Sequence, residues 1–256
     1  MRGDILKKKL MVLCAVAIMI STCLTGCKMN SGKIRFGSAG IGGTYQIFGD
    51  TFANLISSKS KKYNIEVKTT AGSAANLRLL SKDYIQMAVA QMDLINDAYN
   101  RTGIFENDKK YQGYRAVASL YTEACQIVVP ADSDIQSMDD LEGKKVCIGE
   151  EESGTEQNAL QILNAYGLNE RLGDTVNLNY TDAAKKLKSG DIDAFFCTAG
   201  VQTTVINELS KQCKIRLVSL DQKGVSRLKK SYKFYTEYTI PAGTYVNQTK
   251  EIKTVG

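Results

Sequence analysis

Apolar residues along this chain follow two alternating rhythms. Short crowded runs at 33–38 (KIRFGS), 64–70 (NIEVKTT) and 84–91 (YIQMAVAQ) read as strands, and the stretches between them carry apolar residues three or four apart, as helices do. Over 43–60 that spacing puts Ile47, Phe48, Phe52, Leu55 and Ile56 on one side of a helix, and helices are likewise expected at 72–82 and 93–103. The order is βαβαβα, which predicts a parallel sheet with right-handed crossovers. Two further strands are expected at 114–121 (YRAVASLY) and 125–131 (CQIVVPA), then a short helix at 137–143. From Lys144 the rhythm restarts, with strands at 144–150, 175–180, 191–200 and 214–220 and helices at 153–167, 181–190 and 201–212. The expected fold class is therefore α/β with two lobes, each a mostly parallel sheet flanked by helices. The first lobe spans about 33–125 and the second about 126–235, with hinge strands between them from the crossing segment CQIVVPADSD. Residues 236–256 read as extended, a truncated return toward the first lobe without a closing helix.

The first 26 residues follow neither rhythm. Lys7, Lys8 and Lys9 precede an apolar run from Leu10 to about Ile20, shorter than the roughly 20 apolar residues of a membrane span, and a small-residue end follows. This is the pattern of a secretory signal. Its last residues, Leu24-Thr25-Gly26-Cys27, resemble the bacterial lipobox, in which cleavage leaves the cysteine at the new terminus carrying lipid. The expectation is export, lipidation at Cys27, a short tether over 27–32 and a lipid anchor at the outer face of the cytoplasmic membrane, or the periplasmic side in a two-membrane cell. An uncleaved membrane anchor is the alternative.

Composition narrows the chemistry. The chain has 256 residues, 43% of them hydrophobic, enough for a real core, and no histidine, which excludes every catalytic or metal scheme built on imidazole. Cleavage before Cys27 would remove Arg2, Lys7, Lys8, Lys9 and Asp4 and so halve the formal net charge of +6, leaving too little scattered positive charge for nucleic acid. Beyond Cys27 stand Cys125, Cys147, Cys197 and Cys213, without CxxC spacing. Most lie in apolar strand-like runs and read as buried thiols, with a disulfide left open for an exported protein.

Three strand-to-helix junctions rich in glycine and hydroxyls carry the candidate chemistry: 37–45 (GSAGIGGTY), 69–76 (TTAGSAAN) and 149–158 (GEEESGTEQN). Small residues let a ligand approach the backbone, and the free N–H groups at the start of the following helix favour an anion. Each could also be a plain cap or tight turn, with Ser73, Ser153 or Thr155 as cap residues. A nucleotide is not indicated, since GIGGTY lacks the lysine of a phosphate-binding loop and has Tyr45 where a dinucleotide fingerprint needs glycine. Asp191, Asp193 and the Glu150–Glu152 run have no recognisable acid/base partner, and no metal cluster or cofactor motif is visible.

The runs GGTYQIFGDTFANLI, VKTTAGSAANLRLLSKDYIQMAVAQ, YRAVASLYTEACQIVVPADSDIQSMDDLEGKKVCIGEEESGTEQNALQIL and LKSGDIDAFFCTAGV, in that order, resemble the TAXI family, the solute receptors of tripartite ATP-independent periplasmic (TRAP) transporters. The resemblance covers about 33–250. It implies a two-lobed periplasmic-binding fold that closes on a small organic anion, typically glutamate, glutamine or a related dicarboxylate, and delivers it to TRAP-type membrane permease subunits, with no enzymatic activity and no cofactor. Carried over by motif, the cleft would be lined by Gly43, Thr44, Tyr45, Ser73, Asn76 and Gln91 from the first lobe. Ser153, Thr155, Glu156, Thr198 and Gly200 would line it from the second. Thr44, Ser73 and Thr155 would donate to carboxylate oxygens and Tyr45 would cover the aliphatic part. Glu156 would accept from an ammonium or serve as a first-turn acid. Family members continue past a stretch like EIKTVG with elements completing the first lobe. A ligand-sensing input module for a membrane signalling protein, or an enzyme on the same fold, are the alternatives.

Overall fold

The three-stranded sheet that opens the described region holds β1 (Lys33–Gly37), β2 (Asn64–Lys68) and β3 (Met87–Ala88) in the order β2-β1-β3, with β1 and β3 parallel. This is a computed structural model, describing residues 33–108, 111 and 113–256; the signal region, the tether and Cys27 lie outside the described residues. A helix follows each strand: α1 (Thr44–Lys59), α2 (Ser73–Ser81) and α3 (Met92–Asn100). Helix α1 packs with a different face from the one its spacing suggested. Tyr45, Phe48, Gly49 and Phe52 turn inward, and the Phe48 and Phe52 rings lie 6.1 and 5.8 Å from Phe36. Ile47 and Leu55 are about half exposed. Gly49 favours this orientation: a Cβ there would meet Phe36 and Val67 at 3.2 Å, so any other residue would press those side chains back by a few tenths of an ångström. Helices α2 and α3 bury Leu77, Leu94 and Ala98 with Phe105.

Residues 114–121, expected as a strand, form none. They run outside any ladder and are largely exposed, because no neighbouring strand among the described residues offers them hydrogen bonds.

The second sheet has five strands in the order β6-β5-β7-β4-β8: β4 (Ala124–Pro130), β5 (Lys145–Cys147), β6 (Asp174–Val176), β7 (Ala194–Ala199) and β8 (Ile215–Leu217). It is mixed rather than mostly parallel. Strand β5 runs parallel to β6 and β7, but β4, arriving from the first sheet's side, inserts between β7 and β8 and is antiparallel to both. Both faces are covered, which is why β4 and β7 are buried almost throughout and carry only Gln126 and Thr198 as polar residues. Ile127, Val129 and Phe196 face α4 (Gly154–Tyr166) and α7 (Gln222–Ser231), while Val128, Phe195 and Cys197 face α5 (Tyr180–Ser189) and α6 (Thr204–Gln212).

Helix α7 was not expected. Its signals are local: Asp221 accepts the Gly224 N–H at 2.8 Å as N-cap, and Val225 and Leu228 are buried three apart. The final segment also differs from expectation. Instead of returning to the first sheet, β9 (Glu237–Ile240) and β10 (Ile252–Val255) pair antiparallel, and Ile240, Tyr245 and Val255 enter the cores around the five-stranded sheet. The Leu220 N–H donates to the Lys253 carbonyl and the Thr254 hydroxyl to the Cys125 carbonyl, which tie the hairpin down. The four cysteines are free thiols, with Cys125, Cys147 and Cys197 buried. Residues 34–256 form one compact unit, and among the described residues no helix is long and apolar enough to cross a membrane.

Candidate functional site

Four helices begin at one place. The starts of α1 and α2 from the first sheet and of α4 and α5 from the second converge on a cavity of about 40 Å³, space for about three water molecules. Gly72 makes the approach possible: its φ of 131° is a backbone state that glycine tolerates, and a Cβ there would touch Ser153 Cα at 3.4 Å. Gly154 is equally constrained, since a Cβ would overlap the Gln91 side chain. The halves meet directly around the cavity. The Ala75 N–H donates to the Glu152 carbonyl at 3.2 Å, the Thr181 hydroxyl to the Ile41 carbonyl at 3.1 Å, and the Thr203 hydroxyl to the Gly42 carbonyl at 3.3 Å. Arg78 Nη1 pairs with Glu152 Oε1 at 2.8 Å beside them.

Of the residues singled out from the sequence, Gly43, Thr44, Tyr45, Ser73, Gln91, Ser153, Thr155 and Thr198 line this cavity. Three do not. Asn76 is wholly buried, its Nδ2 donating to the Ser38 and Val89 carbonyls and its Oδ1 accepting from Thr70, so it ties β1 to the segments on either side. Glu156 is taken up by its own helix: Ser153 Oγ accepts the Glu156 N–H at 3.0 Å and Glu156 Oε2 accepts the Glu152 N–H at 2.9 Å, a capping-box arrangement. Gly200 lies behind Thr44 and Tyr121.

The hydroxyls are also committed differently from expectation. The Thr198 N–H donates to Thr155 Oγ1 at 3.3 Å, the Tyr180 hydroxyl donates to the Thr198 carbonyl at 2.9 Å, and Tyr180 must then accept from Thr155 at 2.5 Å. In this closed ring Thr155 has no proton to offer a ligand. Ser73 Oγ accepts the Gln91 N–H at 3.1 Å and donates its own proton to the Tyr45 hydroxyl at 3.4 Å, since Tyr45 has spent its proton on Glu123. Tyr45 points its hydroxyl at Glu123 Oε2, 2.8 Å away, rather than presenting only its ring.

Glu123, Glu150 and Tyr180 line the cavity without having been singled out. Glu123 stands just before the buried β4, an acid at the edge of an apolar strand. Tyr180 read as a strand end, but Asn179, accepting the Asp182 N–H at 2.9 Å, caps a helix that begins at Tyr180. Among the described residues no lysine or arginine lines the cavity. Burial pushes the Glu123 carboxyl up to about 7, with nearby Asp93 adding to the rise, and burial likewise pushes Asp93 up to about 6 and raises Glu150. Tyr45 is raised by burial and then by Glu123. Among the described residues no cluster of potential metal ligands occurs.

Residues 36–256 match the model of the NMT1-like family. The chain belongs to that family. Solved structures similar to this NMT1-like chain include an ancestral arginine-binding protein bound to arginine, at 18% identity over 79% of this chain and 93% of that one, with a TM-score of 0.50. A putative L-cystine ABC transporter protein from Listeria monocytogenes gives 17% identity over 79% and 89%, also at 0.50. The periplasmic aliphatic sulphonate binding protein SsuA from Escherichia coli gives 17% identity over 87% of this chain, with a TM-score of 0.47, and the chain spans 64% of its length. At these identities the likeness is one of fold: an α/β architecture of the two-lobed periplasmic-binding type.

Proposed function

We propose that this NMT1-like protein is an extracytoplasmic, lipid-anchored solute receptor of the TAXI type. It would bind a small organic anion such as glutamate, glutamine or a dicarboxylate and deliver it to a TRAP-type secondary transporter. The observation that carries the reading is the convergence of the α1, α2 and α4 starts on one cavity, which brings backbone N–H groups from both halves toward a shared ligand. Binding would then bridge the halves about 33–125 and 126–235, with the connection that leads into β4 as the hinge. The reading assigns the chain no catalytic step and no cofactor.

Thermal melts of the domain from residue 28 onward, with millimolar glutamate, glutamine, succinate or 2-oxoglutarate, test the receptor. A ligand that binds only the folded state raises Tm, by an amount that grows with its concentration. No rise with any of them would remove the reading. Lipidation at Cys27 is checked by labelling cells with a fatty-acid analogue: label on the wild type and none on Cys27→Ser is the expected result.

A further inference from the structure

The cavity holds more acceptors than an anion alone can use. Among the described residues Glu123 and Glu150 are its only charged lining, and neither pairs with a cation there. A third acceptor, the buried Gln91 Oε1, has no hydrogen-bond partner among the described residues. Its orientation is dictated from behind: Asn158 Nδ2 donates to Tyr235 at 2.8 Å and to Asp93 at 3.5 Å, so Asn158 Oδ1 faces Gln91 and must accept its Nε2, at 2.8 Å. The amide oxygen is thereby turned to the start of α4, next to Gly154. A buried acceptor without a donor costs about 1–3 kcal/mol, and a carboxylate without a cation costs more, so a ligand that brings N–H donors and positive charge relieves both. The helix starts ask for the opposite charge on another part of the same molecule.

We infer that the cavity takes a neutral α-amino acid, its ammonium held by Glu123 and Gln91 Oε1 and its carboxylate by the backbone N–H groups at the starts of α1, α2 and α4. This rests on the receptor reading above and narrows its ligand class. Tyr45 donates to Glu123 Oε2, so the ammonium would share this carboxylate with it. Glu150, whose Oε2 reaches across to within 3.0 Å of where a Cβ on Gly40 would stand, sets a second negative charge on the far rim. A dicarboxylate would bring its second charge against these two acids, and an acidic side chain would do the same. The cavity's size fits the ammonium-carboxylate core of such a molecule; a side chain beyond it requires the halves to part.

Calorimetric titration at pH 8 decides the matter, with L-glutamine, L-alanine, glutarate and succinate as probes. The expected result is binding of at least one amino acid ten-fold or more tighter than either dicarboxylate, and a ten- to hundred-fold loss of that affinity in Glu123→Gln, whose fold is verified by an undiminished Tm at the same pH. If glutarate or succinate binds as tightly as the amino acids, or if Glu123→Gln binds them unchanged, the inference falls and the receptor reading stands. Silence from all four probes overturns the inference, and silence extended to every anion in the melting panel removes the receptor reading as well.

Discussion

The two sheets of this protein are built to different standards. In the five-stranded sheet β4 and β7 lie between two layers of helices, and Ile127, Val128, Phe195 and Phe196 are at most 1% exposed. In the three-stranded sheet the strands are mostly half buried, β3 is two residues long, and α1 leaves Ile47 and Leu55 in water. The five-stranded half carries two extended clusters of buried residues, and the three-stranded half a small one around Leu77, Leu94 and Phe105. The cavity sits where they meet, and its acids belong to neither core. The lesson is that packing is uneven across the molecule, and the lighter three-stranded layer is expected to open locally before the five-stranded one.

The contrast can be broken most severely at Phe196. Phe196→Ala in β7 should cost about 3–5 kcal/mol, read as a large drop in the urea midpoint. A loss under 1 kcal/mol would mean that the five-stranded core is not packed as described.

The border between the halves is tested by pH. Glu123 has an ordinary pKa of 4.5 and is pushed to about 7 by burial. The folded state therefore holds more protons than the unfolded state in that window, and unliganded stability should fall as pH rises from about 4.5 to about 7. The expected loss is on the order of 2–3 kcal/mol, with Asp93, raised from 3.8 to about 6, adding to it at the lower end. The groups facing Glu123 are Tyr45 from α1 and Gln91 and Asp93 at the start of α3, none of them cationic. Melting curves across pH should show the decline in the wild type and a shallower one in Glu123→Gln; a flat wild-type profile would show that Glu123 is not desolvated.

A milder test lies in α1. Phe52→Ala removes a half-buried ring and should cost about 1–2 kcal/mol, and hydrogen exchange should show α1 opening locally while β4 and β7 exchange only on global unfolding. Equal protection of the two sheets would erase the distinction between them. The smallest effect belongs to the pair that spans the halves. Arg78, which also pairs with Asp108 at 3.1 Å and lies over the Phe105 ring, reaches Glu152 near the rim, so Glu152→Gln should change stability by less than about 1 kcal/mol. Its mark should be a larger radius of gyration in solution scattering of the unliganded protein, and an unchanged radius would show that this pair does not bias closure.

Much of this architecture was legible beforehand, and the reasons differ from element to element. Strands such as 125–131 and 191–200 announce themselves because both their faces are buried, and α4 because Ser153 and Glu156 form its cap within four residues. The inward face of α1 was misread because Ile47 and Leu55 are apolar yet have nothing to pack against, while Gly49, the residue that favours this approach, carries no hydrophobic signal. Residues 114–121 have strand composition but lack a ladder partner, and composition cannot supply one.

What the amino-acid order determined by itself is local: periodicity, caps and the glycine- and hydroxyl-rich starts of three helices, all set by interactions within a few residues. What only the tertiary structure decided is which of those starts face one another, that Glu123 and the unpartnered oxygen of Gln91 stand beside them, and that Asn76 and Glu156 are spent on internal bonds. Those outcomes depend on contacts between residues as much as 161 positions apart, as Gly42 and Thr203 are, and a hydrogen bond of that span is settled by how the halves pack rather than by the neighbours of either residue in the chain.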